Sequence, residues 1–331
     1  MTTARDAAAQ VRRAVRAATR SQDRLLVACS GGPDSLALAV AAGLERPGEV
    51  TALIVDHGLQ RGSDQVAATA ASTLNAHGVP AQVQKVVVAE SGNGPEAAAR
   101  TARYAALIEA GQQQSACVLL GHTQDDQAET VLLGLARGSG ARSLAGMPAT
   151  FARGGVSFLR PLLDLPREAT LAACAHWRLQ AWEDPHNRDP RYLRARLRGD
   201  VMPRLQATFG PGVAAALART ADLLRDDDEA LSAAADSGLE QARRFDPERR
   251  EDVLLDLEAL ARLPRAVRTR VLRRAAIAAG SPAGSLTFEH VGVLEALVSD
   301  WSGQGPVALP GPVSGSREYG RLRLAGRTDE S

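Results

Sequence analysis

The chain has 331 residues, with 39 basic against 38 acidic side chains and a formal charge of +1, a balance that speaks against a protein that coats DNA. Lys85 is its one lysine, so a phosphate loop of the Gly-Lys-Ser/Thr kind is excluded, and lysine Schiff-base chemistry has a single candidate, in a strand-like run. Three separated cysteines, Cys29, Cys117 and Cys174, exclude a disulfide scaffold, a zinc ribbon and a redox pair.

Residues 1–24 alternate alanine with arginine and lack an apolar core. They read as an amphipathic helix rather than a signal peptide. Nowhere does an apolar run approach about 20 residues, so no membrane span is predicted and the cytoplasm is the expected location. Residues 25–29 form a short apolar strand covered on both faces. A helix follows at 36–44, a strand at 50–55, a helix at 63–77 capped by Ser63, and a β-branched strand at 83–88. Asn93-Gly94-Pro95 opens a helix that runs to about 110, with proline where its missing N–H does no harm. A strand at 117–120, a helix at 125–135 and a strand at 156–159 complete a repeated βα pattern. The expected fold is α/β, a doubly wound parallel sheet with helices on both faces.

Beyond about residue 160 the pattern changes. A helix at 166–179 leads to a polar loop at 183–191 and an arginine-rich helical stretch at 192–206, interrupted at Pro203. Residues 211–235 read as a long helix whose acidic run at 226–229 is a solvated face. Helical segments span 253–279 and 286–300. The Gly- and Pro-rich tail, 303–324, suggests a hairpin. We expect a catalytic domain over 1–210, a linking helix over 211–240, and a smaller mixed helical, α+β domain over 241–331.

Three segments carry chemistry. Ser30-Gly31-Gly32-Pro33-Asp34-Ser35 lies between the first strand and its helix. In open α/β sheets ligands bind at that edge. Glycines let backbone approach a phosphate, and helix-start amides hold its oxygens. Asp34 would repel a bare phosphate, which points to Mg²⁺ between them. A tight turn with a capping serine or aspartate explains a lone Ser-Gly-Gly, but not the whole string. Asp56-His57-Gly58-Leu59 follows the second strand. Gly121-His122-Thr123-Gln124-Asp125-Asp126-Gln127-Ala128-Glu129-Thr130 follows the fourth. On a helix, His122, Asp126 and Glu129 share one face. Helix-end capping accounts for one acid there, not for three and a histidine; Mg²⁺ ligation is an intermediate reading.

The first segment resembles the pyrophosphate-loop ATPases, which cleave ATP between its α- and β-phosphates. Together the segments resemble the tRNA(Ile)-lysidine synthetases. Ala99-Arg100 with Arg103-Tyr104, Arg137-Gly138-Ser139-Gly140, Gly146-Met147, Arg160-Pro161-Leu162-Leu163 and Glu183-Asp184-Pro185-His186-Asn187 with Asp189 extend the likeness. So do Tyr192, Arg194, Arg196 and Arg198, and more weakly Leu286-Thr287, His290-Val291 and Leu309-Pro310-Gly311. His186 and Ala195 depart from the family pattern, which has Ser or Thr and Asn there. The resemblance implies a short form without the last domain of larger members.

It also implies the substrates: ATP with Mg²⁺, free L-lysine and an isoleucine tRNA with a CAU anticodon. Ser30 to Ser35, Asp56, His57, Gly121 and His122 are the expected ATP site, with Asp34 beside Mg²⁺. Asp126 and Glu129 suit a cationic lysine, and Arg194 and Arg196 the charge on the attacked base and α-phosphate. Residues 151–210 and 241–275 each hold ten arginines against six acids, net +4, enough to follow a phosphate backbone. Arg191, Arg198, Arg268 and Arg273 are the expected tRNA contacts. Oligomeric state is open, a homodimer included. The rival readings are a tRNA thiolase, which needs positioned cysteines; an amidotransferring synthetase, which needs a glutaminase segment; and a nucleotide-sensing module, which has no use for the His122–Glu129 face.

Overall fold

The computed structural model describes residues 3–58, 62–88, 95–138, 140–182, 189 and 191–326. It divides into two compact units, Met1–Arg225 and Asp226–Ser331.

The first unit opens with α1 (Ala4–Ala18) and then alternates β1 (Leu25–Cys29), α2 (Pro33–Glu45), β2 (Val50–Asp56), α3 (Ser63–Ala76), β3 (Ala81–Lys85), α4 (Pro95–Gln114), β4 (Cys117–Leu120) and α5 (Gln124–Arg137). A short α6 (Ala141–Leu144) precedes the hairpin β5 (Thr150–Arg153) and β6 (Val156–Leu159), then α7 (Arg167–His176) and α8 (Leu193–Arg196). A five-residue π-helical turn, Leu197–Val201, joins α8 to α9 (Met202–Phe209), and α10 (Val213–Ala242) follows, its residues 226–242 belonging to the second unit.

The strand order is β3-β2-β1-β4-β6-β5. All neighbours are parallel except β5, which runs antiparallel to β6. Strand residues alternate between two apolar layers, as the period of two requires. Leu25, Val27, Ile54 and Leu119 pack in the layer that holds α1 and α2. Leu26, Leu53, Val118 and Phe158 face the other way, with Tyr104 and Leu107 of α4. Helix α2 is apolar around its circumference and buried from Asp34 to Ala42, as a helix inside a core must be. The chain steps outward from β1 through β2 to β3, then crosses back to β4 on the other side of β1. The crevice at their carboxyl ends is therefore the expected ligand position.

The second unit contains β7 (Arg243–Arg244), β8 (Val253–Asp256), α11 (Leu257–Arg262), α12 (Arg265–Ala278), α13 (Phe288–Ser299), β9 (Val307–Leu309), β10 (Val313–Glu318) and β11 (Arg321–Gly326). Its antiparallel sheet has the order β7-β8-β11-β10-β9. Val271 and Leu272 of α12 and Leu294 of α13 pack on Leu255, Leu322 and Leu324.

Several predicted elements shift. Residues 253–256 are a strand, not helix, because they pair with β11. Strand β5 was not expected; it is short, mostly exposed, and exists by pairing with β6. Pro203 stands at the start of α9, directly after the π turn that breaks the regular α-helical run. The predicted strand 83–88 begins earlier, at Ala81, and ends at Lys85.

One close approach fixes the site. A Cβ on Gly121, after β4, would lie 3.1 Å from the backbone of Asp34 and Ser35. Helix α2 can begin where it does because that side chain is missing. Gly121→Ala should push the start of α2 outward and destabilise by about 1–3 kcal/mol, the usual range for overpacking. Thermal denaturation should show the loss together with weaker nucleotide binding; a variant equal to wild type in both would refute the constraint.

Candidate active site

The loop after β1 is organised by two serines. Ser35 Oγ accepts from the Ser30 amide at 3.1 Å and donates to the Gly32 carbonyl at 3.0 Å. Ser30 Oγ accepts from the Gly32 amide at 3.4 Å. Gly31 has φ +80°, a conformation that other residues rarely adopt, and its carbonyl accepts from the Trp182 amide at 3.0 Å. Gly32 is the N-cap of α2 and offers no capping side chain. The first-turn amides thus keep no side-chain partner there, the condition for holding an anion. Ser30, Gly31, Gly32, Pro33, Asp34 and Ser35 come together as the sequence suggests.

Asp34 is not free for a phosphate or a metal as it stands. Its Oδ2 lies 2.8 Å from Arg167 Nη2, and its Oδ1 accepts from the Thr170 hydroxyl, both on α7. Burial pushes this carboxyl above its usual value, and Arg167 opposes that push. Among the described residues no three His, Cys, Asp or Glu side chains converge as a metal cage. An ion that arrives with phosphates needs only one or two carboxylates, and Asp34 meets that smaller requirement. Beneath the loop, Cys29 Sγ accepts from the Gly31 amide at 3.4 Å, and Cys174 Sγ donates to the Pro33 carbonyl at 3.2 Å. Burial raises both thiols, Cys174 to about 12, so they support the loop as thiols.

At the end of β2, Asp56 accepts from the Gly58 amide at 3.0 Å. The Ser63 hydroxyl, first among several donors and cations, holds its carboxyl below the usual value. His57 is half-buried, and burial together with Arg103 lowers its pKa. Its Nδ1 is buried with no hydrogen-bond partner among the described residues. At the end of β4, His122 Nδ1 accepts from Arg160 Nε at 3.2 Å. Burial lowers this imidazole to about 4 despite the nearby Asp126. It was expected on the helix face with Asp126 and Glu129. The helix begins later, at Gln124, because Thr123 is its N-cap, so His122 lies before it and turns to Arg160.

Thr123 and Asp126 form a capping box. Asp126 Oδ2 accepts from the Thr123 amide at 2.9 Å and hydroxyl at 3.0 Å. Its other oxygen receives Arg198 Nη2 at 3.0 Å, while Arg198 Nε reaches Glu129 Oε1 at 2.7 Å. One guanidinium therefore bridges two carboxylates a helical turn apart. Burial raises Asp126, but the Thr123 amide, His122, Arg198 and Arg167 together hold it below the usual value. For Glu129 burial prevails over Arg198, and its pKa is raised. Two neighbouring acids with oppositely shifted values suit a division into fixed anion and proton acceptor.

Comparison with known proteins decides the family. Residues 4–205 match the PP-loop domain, and residues 255–323 match the TilS substrate binding domain. The chain is 52% identical to the tRNA(Ile)-lysidine synthase of Thermobifida fusca over 325 residues, 95% of this chain and 96% of that protein. It belongs to the tRNA(Ile)-lysidine synthase family. The Streptomyces coelicolor synthase is 48% identical, over 90% of this chain and 84% of that one. A solved U34-tRNA thiolase, NcsA of Methanococcus maripaludis, shares the fold at a TM-score of 0.54 and 18% identity, covering 66% of this chain and 79% of that one. Members of the synthase family are ligases, and the PP-loop domain implies use of ATP.

The arginines expected on tRNA mostly have partners within the fold. Arg198 faces the acids inside the site. Arg268 is forked onto Glu295 at 2.6 Å and onto the Leu263 carbonyl at 3.0 Å, with 11% of its side chain exposed. Arg273 donates to the Leu286 and Ala283 carbonyls and ties α12 to the turn that follows it. Arg191 is exposed but folded back on Asp189 at 2.6 Å. Arg194 and Arg196 are exposed on α8, and Arg194 Nη2 lies 3.5 Å from Thr130 Oγ1. Sequence reading missed Arg167 and Thr170, which hold Asp34 from 133 and 136 residues away; no local spacing announces such partners. Of the predicted loop at 183–191, residues 183–188 and 190 lie outside the described residues.

A neutral His122 has a measurable consequence. Its folded pKa lies below the value near 6.5 that an unfolded chain gives. The stability it contributes is therefore present above about pH 6.5 and lost as pH falls toward 4. A ¹⁵N-edited NMR titration should place its midpoint near 4. A midpoint above 6 would show that the Arg160 contact and burial do not govern this ring.

Proposed function

We propose that the chain joins L-lysine to C2 of the wobble cytidine in an isoleucine tRNA with a CAU anticodon, with ATP as co-substrate. The observation that carries the reading is the pairing of opposites at one sheet edge. A loop built for anions follows β1, and two buried carboxylates suited to a cation follow its neighbour β4. Family membership supports the same substrate.

The cytidine C2 oxygen attacks the α-phosphorus, the α–β phosphoanhydride bond breaks, and pyrophosphate leaves on the loop Ser30–Ser35, where the first-turn amides of Asp34 and Ser35 are its backbone donors. The lysine ε-nitrogen then attacks C2, the C2–O bond breaks, and AMP leaves. An ammonium has no lone pair, and a free one with pKa about 10.4 is mostly protonated at neutral pH. In this reading Asp126 stays ionised and holds the amine, while Glu129, whose pKa is raised, takes its proton. Asp56, His57, Gly121 and His122 flank the nucleotide. Arg194 and Arg196 face the base and α-phosphate. Mg²⁺ supplies charge neutralisation on the phosphates, with Asp34 as its protein carboxylate. Residues 1–210 then form the catalytic domain, 211–240 a linking helix and 241–331 a tRNA-contacting domain. We place the reaction in the cytoplasm; among the described residues no helix is long and apolar enough to cross a membrane. Thiolation is less supported, since Cys29, Cys117 and Cys174 are buried with raised pKa values.

Incubation with ATP, labelled lysine and tRNA transcripts tests the reading. Label should enter the CAU-anticodon isoleucine tRNA alone; folded protein that transfers none would overturn the proposal. Asp34→Ala should lower tRNA-dependent pyrophosphate release by about 10²-fold or more, the scale for losing one group that stabilises a transition state. Glu129→Ala should spare that release and lower lysine transfer by a similar factor. Equal loss of both steps would refute its role toward the amine.

A further inference from the structure

We infer that Arg198 is a resident counter-ion, which the ammonium of the incoming substrate must displace before the acid pair can do chemistry. This rests on the reading above, in which Asp126 and Glu129 receive lysine.

Exposure sets the order of access. Glu129 is 1% exposed, Asp126 13% and Arg198 32%, so the guanidinium covers the acids from the solvent side. A cation entering from solvent meets Arg198 first. Donor number favours the exchange. Arg198 serves one oxygen of each acid, and Glu129 Oε2 is left buried with no partner among the described residues. An unpaired buried acceptor of this kind is costly. Three acceptors face this cation, Asp126 Oδ1 and both oxygens of Glu129, and one of them, Glu129 Oε2, lacks a donor. An ammonium carries three donors on one atom, whereas the guanidinium meets two of these acceptors through its rigid fork.

Chemistry gives the exchange its purpose. A guanidinium does not lose its proton in proteins. While Arg198 is in place, the cation facing the acids carries no proton that Glu129 can take. An ammonium in the same place keeps the charge unchanged and brings a removable proton. The change swaps an inert cation for a reactive one, and the base has nothing to act on until substrate is seated. The fold places this arginine on the π turn between α8 and α9. Such turns are rare and occur frequently at functional sites.

Two measurements test the exchange on the full chain with a non-hydrolysable ATP analogue bound. In wild-type protein the Arg198 Nε–H resonance should be shifted and slow to exchange with water. Saturating L-lysine should return it to the position and exchange rate of a solvated guanidinium. A resonance unmoved by bound lysine overturns the inference. By calorimetry, Arg198→Ala should bind lysine about tenfold more tightly, because the fraction of sites blocked by the internal cation is gone. Added guanidinium ion should then compete with lysine. Equal or weaker lysine binding by the folded variant, or guanidinium that does not compete, overturns it. If Arg198→Ala does not fold, the wild-type resonance decides. Failure of the underlying reading looks different: Asp126→Asn with Glu129→Gln would bind lysine as wild type does.

Discussion

Two carboxylates a helical turn apart, nearly out of solvent, do not both stay ionised without a cation. That constraint organises the centre of the molecule. The guanidinium of Arg198 is delivered from a segment nearly seventy residues further along the chain than Glu129. The acids sit where they do because β4 lies beside β1 and α5 starts at the carboxyl edge of the sheet. A second buried acid, Asp34, obeys the same rule through Arg167. The phosphate loop and the acid pair are therefore each held closed by an arginine from the chain beyond β6. Breaking either pair would leave a buried charge alone, which is more damaging than never having had the pair.

Local signals were the legible ones. The phosphate loop is six consecutive residues between a strand and a helix, and its geometry depends on near neighbours such as Ser30 and Ser35. Strands β1, β2 and β4 are apolar runs buried on both faces, which composition alone reveals. What sequence did not disclose is long-range pairing. Thr150–Arg153 is a strand only because Val156–Leu159 lies beside it. Val253–Asp256 resembles a helix start until β11 is placed against it. Arg198 looked like one more basic residue in an arginine-rich stretch, and no pattern within that stretch distinguishes it from Arg194 or Arg196.

Regional charge was also a poor guide to surface. Several arginines of the second +4 stretch are paired within the fold. Within the second unit, Arg268 is engaged by Glu295, Arg270 by Asp228 and Arg274 by Asp236. Arg273 caps carbonyls instead. A planar fork with several donors is well matched to such framework duties. In a chain with one lysine, arginine does the work of both residues, and counting charges overstates how much positive field reaches solvent.

The capping box of α5 has a consequence for how this enzyme can change. Asp126 closes the first turn of its helix with one oxygen and serves the site with the other. Fold and chemistry are thus not separable at this position. Replacement by a residue without an acceptor would fray the helix and remove the anion in one step, so drift here is constrained twice over. Glu129, one turn on, has no capping duty and is the acid at which chemistry can vary while the helix start stays intact. A lineage that altered its amine specificity would be expected to do so around Glu129 and Arg198, leaving Thr123 and Asp126 in place.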